Sequence, residues 1–144
     1  MTMLVSDEAW GCAPDNRSII ELANRALDRL IPHISSISKD IEIVVEDLVD
    51  EESLEKLFIE DPYEVLGVNS GMLDSLELHR VGVKPKFWLY RLPLLKCWIE
   101  AGDVVLETLI ANAVLQEIRS YYRLDVDECE TALLNAGYDI KQLG

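Results

Sequence analysis

Leu109 to Glu128 reads LIANAVLQEIRSYYRLDVDE. Leu106, Leu109, Ile110, Ala113, Val114, Ile118 and Tyr121 recur here at three- and four-residue spacing. That period predicts one long helix from Asp103 to about Tyr122 with a single buried stripe. Glu117 interrupts the stripe, four residues after Ala113 and four before Tyr121. A carboxylate so placed faces inward or lines a cleft, and burial obliges it to find a partner; Arg91, Arg123 and a tyrosine hydroxyl are the candidates. Beyond Tyr122, Asp125 is placed to cap a last helix from Val126 to about Asn135, closed by Gly137. The acids Asp125, Asp127, Glu128 and Glu130 suit the positive end of that helix. They lack the glycine and the spacing of a calcium-binding EF-hand loop.

Working back toward the N-terminus, Lys86 to Arg91 (KFWLYR) reads as a strand, entered after Pro85 and stopped by Pro93, with a helix starting over Leu94 to Ile99. Asp40 to Leu48 (DIEIVVEDL) carries four β-branched residues and reads as a second strand. Ser53 to Phe58 is predicted as a short helix with Leu54, Leu57 and Phe58 inward. Glu60-Asp61-Pro62-Tyr63 is a turn that starts another short helix, and Gly67 and Gly71 bracket a loop. Leu76 to His79 is a strand or an extended loop. Ser18 to Leu30 has helical periodicity, with Asp15 or Asn16 as its cap and Pro32 at its end, and Ser35, Ser36 and Ser38 form a connector. The expected fold is α+β: a small mixed or antiparallel sheet packed on an N-terminal helix and the long helix. Residues 1–16 form an irregular arm and 17–144 the domain.

The chain has 144 residues, 13 Lys+Arg against 27 Asp+Glu, and a formal net charge of −14. That length suits one core. The charge argues against nucleic acid or an anionic membrane as the main partner, since both would repel it. Cys12, Cys97 and Cys129 have neither zinc-ribbon nor disulfide spacing and read as reduced thiols. Asp7 and Glu8 make the N-terminus a poor secretory signal, and no apolar run reaches membrane-span length, so a cytoplasmic protein is expected. Charge is segregated: residues 40–64 hold eleven acids and one base, whereas residues 80–96 hold Arg80, Lys84, Lys86, Arg91 and Lys96 and no acid. Two readings stand. One is a solvated acidic face with a lysine-protected edge strand; the other is a complementary pair of patches, within one molecule or between copies of a homo-oligomer.

No nucleophile elbow, phosphate loop or dinucleotide fingerprint is present, and His33 and His79 each stand alone. Three segments nevertheless occur in an informative order: Glu60-Asp61-Pro62-Tyr63-Glu64-Val65-Leu66-Gly67, then Phe87-Trp88-Leu89-Tyr90-Arg91-Leu92-Pro93-Leu94, then Asp103 to Glu128. Together with the strand Ile41 to Asp47 they resemble the small bacterial zincin-like metallopeptidase family, a minimal single-domain zincin fold, over about residues 18–135. The family's helix reads H-E-x-x-H-x-x-G-x-x-D, in which two histidines and the later aspartate hold zinc and the glutamate is the general base.

Laid on this chain, the resemblance puts Gln116 and Ser120 at the histidine positions, Arg123 at the glycine and Val126 at the third ligand; only the base survives, as Glu117. An amide, a hydroxyl and an isopropyl group are not zinc donors. Without the metal no bound water is brought toward a pKa of about 7. The expectation is therefore a zincin-like domain with no metal and no cofactor, catalytically inactive, acting by binding a protein or peptide. Arg119, Arg123 and Tyr121 are expected to plug the vacated site, with Arg123 reaching back to Glu117. The strand Phe87, Trp88, Leu89, Tyr90 and Arg91 is expected to be an edge to which a peptide could pair. The alternatives are a peptidase with a relocated metal site, using Glu117 with Asp125, Asp127, Glu128 or His79, and an enzyme of another class using Glu117 as acid or base.

Overall fold

The computed structural model describes residues 13–34, 40–73 and 84–138. Residues 1–12 of the N-terminal arm, with Cys12, the serine connector, and the segment containing Leu76 to His79 and Arg80 lie outside the described residues.

The elements in chain order are α1 (Asn16–Leu30), β1 (Glu42–Glu46), α2 (Glu51–Leu57), β2 (Gly67–Asn69), α3 (Ser70–Leu73), β3 (Lys86–Tyr90), α4 (Arg91–Ala101), α5 (Leu106–Tyr122) and α6 (Val126–Asn135), with short 3-10 turns at Ile31–His33 and Pro62–Glu64. The α+β class is as expected. The strands form one mixed sheet in the order β1-β3-β2, with β1 parallel and β2 antiparallel to β3. The 67–71 segment, expected as a loop between glycines, is instead the strand β2 and the short helix α3. Three residues are too few for alternation to show, and the antiparallel pairing with β3 is what makes them a strand.

β3 is central, and this overturns its reading as an edge. Val44 and Val68 both register on Trp88, from opposite sides. With both flanks paired, the Phe87–Arg91 backbone has no free edge to offer a peptide. Both faces of β3 are also covered, which is why KFWLY reads as a continuous apolar run. Phe87 and Leu89 point into the larger core with α1, α5 and α6. Trp88 and Tyr90 point into a smaller one with Val49, Val65 and Val68. Arg91 belongs to α4, and Pro93 sits inside its first turn, where a missing N–H leaves nothing unsatisfied.

The helix termini follow local chemistry. Asp15 accepts the Ser18 N–H at 2.9 Å to start α1, and Asp125 accepts the Glu128 N–H at 2.8 Å to start α6. The apolar face of α1 (Ile19, Ala23, Ala26, Leu27, Leu30) lies on α5 and β1. Arg29 ties the end of α6 to α1, donating to the Ala136 carbonyl and stacking on the Tyr138 ring. The acidic and basic segments meet within one molecule: Glu42 registers on Lys86, and Arg91 Nε donates to Asp47 Oδ1 at 2.8 Å. No helix among the described residues is long and apolar enough to cross a membrane.

Phe58 departs from its expected inward position. It is 94% exposed and ends α2 in the left-handed conformation, φ 58° and ψ 41°. Leu54 and Leu57 are partly buried against the smaller core, and the chain must reverse at 58 to bring Ile59 back to the same cluster. A phenylalanine there carries a Cβ penalty and recovers no burial. Phe58→Gly is therefore expected to stabilise the protein by about 1 kcal/mol, read as a higher urea midpoint with an unchanged slope.

Candidate functional site

α5 is buried on most of its circumference, and its one polar strip near the C-terminal end is set by spacing. Gln116, Arg119, Ser120 and Arg123 stand at i, i+3, i+4 and i+7, so they share one face. With Leu124 they line an open cavity of about 390 Å³. Glu117 is one residue on, about 100° around the helix, and it faces the core, 8% exposed.

There Glu117 meets β2. Asn69 Nδ2 donates to Glu117 Oε1 at 3.0 Å, and Asn69 Oδ1 accepts the Met72 N–H at 3.1 Å, which fixes the amide's orientation. Asn69 itself is 1% exposed. Gly67 supplies the clearance: a Cβ at 67 would lie 3.0 Å from Glu117 Oε2, 3.0 Å from the Trp88 carbonyl oxygen and 3.1 Å from Leu89 Cδ2. Burial pushes the Glu117 carboxyl up to about 7, and the Asn69 hydrogen bond offsets only part of that. Glu117 has no ion pair among the described residues.

Residues 38–133 match the family model described as zincin-like metallopeptidase. The chain belongs to the zincin-like metallopeptidase family. The match runs from the segment before β1 into α6 and leaves out α1, which the resemblance had included. No curated protein and no solved structure matches the chain.

Within the zincin-like frame, the positions singled out by sequence separate into two groups. Gln116 and Ser120, which the sequence resemblance sets at the two histidine positions, line the cavity together with Arg119 and Arg123. Val126 is half-exposed at the start of α6 and does not line that cavity. The expected return of Arg123 to Glu117 does not occur. Six residues of helix put them on different sides of α5, Glu117 bonds to Asn69, and Arg123 forms no ion pair among the described residues. Arg123 adopts φ 57° and ψ 49°, a left-handed conformation that glycine reaches more readily than arginine. Tyr121 does not enter the cavity; its ring packs edge-on to Phe87 at 5.9 Å. The two arginines therefore line the opening without filling it.

The residues present do not fit a zinc ion. The cavity offers an amide, a hydroxyl and two guanidinium groups, and the last two repel a dication. Among the described residues, no group of three or more His, Cys, Asp or Glu side chains is placed to hold a metal. Asp125 is committed to its cap, and His33 is exposed after α1, away from α5 in sequence. Asn69 and Gly67 were the residues that sequence reading missed. Gly67 lay within the quoted Glu60–Gly67 motif, but only the packing of α5 under β2 gives it a role.

Proposed function

We propose that this zincin-like domain has exchanged metal-dependent peptide hydrolysis for binding a protein or peptide through the exposed face of α5. The observation that carries the reading is the burial of Glu117 under β2 beside an exposed Gln116 and an exposed Ser120. The former histidine positions, Gln116 and Ser120, face solvent beside two arginines, while the base position, Glu117, is turned under β2 and held by Asn69. A hydrolytic base must reach a water poised on substrate. Glu117 is buried away from the cavity in which the family's metal chemistry would be placed.

The second reading, a peptidase with a relocated metal, is favoured by the carboxyl raised to about 7, a value suited to acid–base work. Against it stands the donor set: Asp125 caps α6, and no further carboxylate hydrogen-bonds Glu117 among the described residues. Metal content of protein purified without an affinity tag separates the two. We expect less than stoichiometric zinc and no peptide hydrolysis. The double change Gln116→His, Ser120→His is expected to create zinc binding at about micromolar affinity, because paired histidines at i and i+4 share one helix face. Stoichiometric zinc in the unaltered chain, with hydrolysis abolished by Glu117→Gln, would establish the second reading instead.

A further inference from the structure

The cavity on α5 carries a charge opposite to that of the chain as a whole. In a protein of net charge −14, its lining is Gln116, Arg119, Ser120, Arg123 and Leu124, with two cations and no acid. Four ion pairs join described residues elsewhere, and neither Arg119 nor Arg123 takes part in one. Two arginines one helical turn apart, with a hydroxyl between them and an amide one turn before, line one cavity and form a donor set for an oxyanion, since each guanidinium can offer two parallel N–H groups to paired oxygens.

No described carboxylate lies within ion-pair distance of Arg119 or Arg123. Asp125, two residues beyond Arg123, accepts the Glu128 N–H on its Oδ1 at 2.8 Å. Glu117 faces the other side of the helix and is bound to Asn69. The C-terminal pole of α5 is itself negative, and the left-handed turn at Arg123 places a cation at that pole. The conformation is one that a glycine adopts without cost and an arginine does not.

We infer that the position where the family holds zinc is, in this chain, an oxyanion site: Arg119 and Arg123, with Ser120 and Gln116, receive a carboxylate or phosphate group. The inference rests on the reading that α5 holds no metal, and it names the chemistry of the bound group. The oxyanion is either a side-chain carboxylate of a peptide or free phosphate, and both present the same paired oxygens to the guanidinium groups.

The test uses the full chain, 15N-labelled, at low ionic strength, following the arginine Nε–H resonances during titration with inorganic phosphate and, separately, with tetraglutamate. The expected result is saturable movement of the Arg119 and Arg123 signals with at least one probe, with Arg17 and Arg25 unmoved. Saturation with tetraglutamate alone assigns the site to a peptide carboxylate, and with phosphate alone to the free anion. Arg123→Gly is expected to weaken binding about 10-fold without lowering the melting temperature, because glycine accepts the φ of 57° freely. Arg119→Gln, on the other guanidinium, is expected to weaken it similarly. A linear, non-saturating response to both probes, or unchanged binding in Arg123→Gly, would overturn the inference. Metal analysis of the same sample keeps the two claims apart: stoichiometric zinc overturns the metal-free reading, whereas zinc-free protein that ignores both probes overturns only the oxyanion site.

Discussion

Glu117→Gln is expected to make the protein more stable at pH 8 and to flatten its pH profile. Burial raises the folded-state carboxyl to about 7, above its ordinary 4.5. Between those values the folded protein holds a proton that the unfolded chain has released. Stability from this group is therefore complete below about pH 4.5, falls as pH rises toward 7, and is lost above it. The shift corresponds to about 3 kcal/mol. Because the group is almost fully buried, little of this is screened away. A neutral glutamine keeps an oxygen for Asn69 and has no charge to desolvate, so the variant should match the parent near pH 4.5 and exceed it by up to about 3 kcal/mol at pH 8. Urea titrations of both proteins across that range make the measurement. The difference between the two profiles cancels the self-repulsion of the other acids. Parallel profiles would mean that the Glu117 carboxyl is solvated, contrary to its placement under β2.

Gly67→Ala is expected to act in the opposite direction. The added Cβ would stand 3.0 Å from the backbone oxygen of Trp88 and 3.0 Å from Glu117 Oε2. The side-chain oxygen can move, but the carbonyl cannot retreat without opening the β2–β3 pairing in which Gly67 registers on Leu89. Overpacking of this kind costs about 1–3 kcal/mol, and contact with strand backbone puts this site near the upper end. Thermal melts of Gly67→Ala, Glu117→Ala and the double variant read the coupling. Removing the carboxylate should recover about 1 kcal/mol of the loss, with the remainder belonging to Trp88. A neutral Gly67→Ala would show that α5 does not approach β2 this closely.

The elements most legible in the sequence were those with long periods or local capping chemistry. α1, α5 and α6 followed from apolar spacing and from Asp15 and Asp125, because a helix stripe and an N-cap are written within a few residues of each other. Phe58 was misread because an apolar residue ending an amphipathic segment looks inward until the chain reversal turns it out. β3 was recognised as a strand but misplaced as an edge, since pairing partners come from residues 42–46 and 67–69, far from it in sequence. Arg119 and Arg123 were named as plugging the vacated site, whereas they line an open cavity. An arginine reaching back to Glu117 and an arginine facing solvent have the same sequence, and only the helix phase separates them.

By itself, the sequence determined the α+β class, the identity of the long helix, and the chemistry at positions 116, 117, 120, 123 and 126, because these depend on local period and on the functional groups themselves. Tertiary structure alone decided that β3 is central, that Glu117 lies against Asn69 and Gly67 under β2, and that Gln116, Arg119, Ser120 and Arg123 open to solvent. The reason is that a carboxylate's protonation and a cation's availability are set by which neighbours exclude water from it, and those neighbours are supplied by strands some fifty residues away.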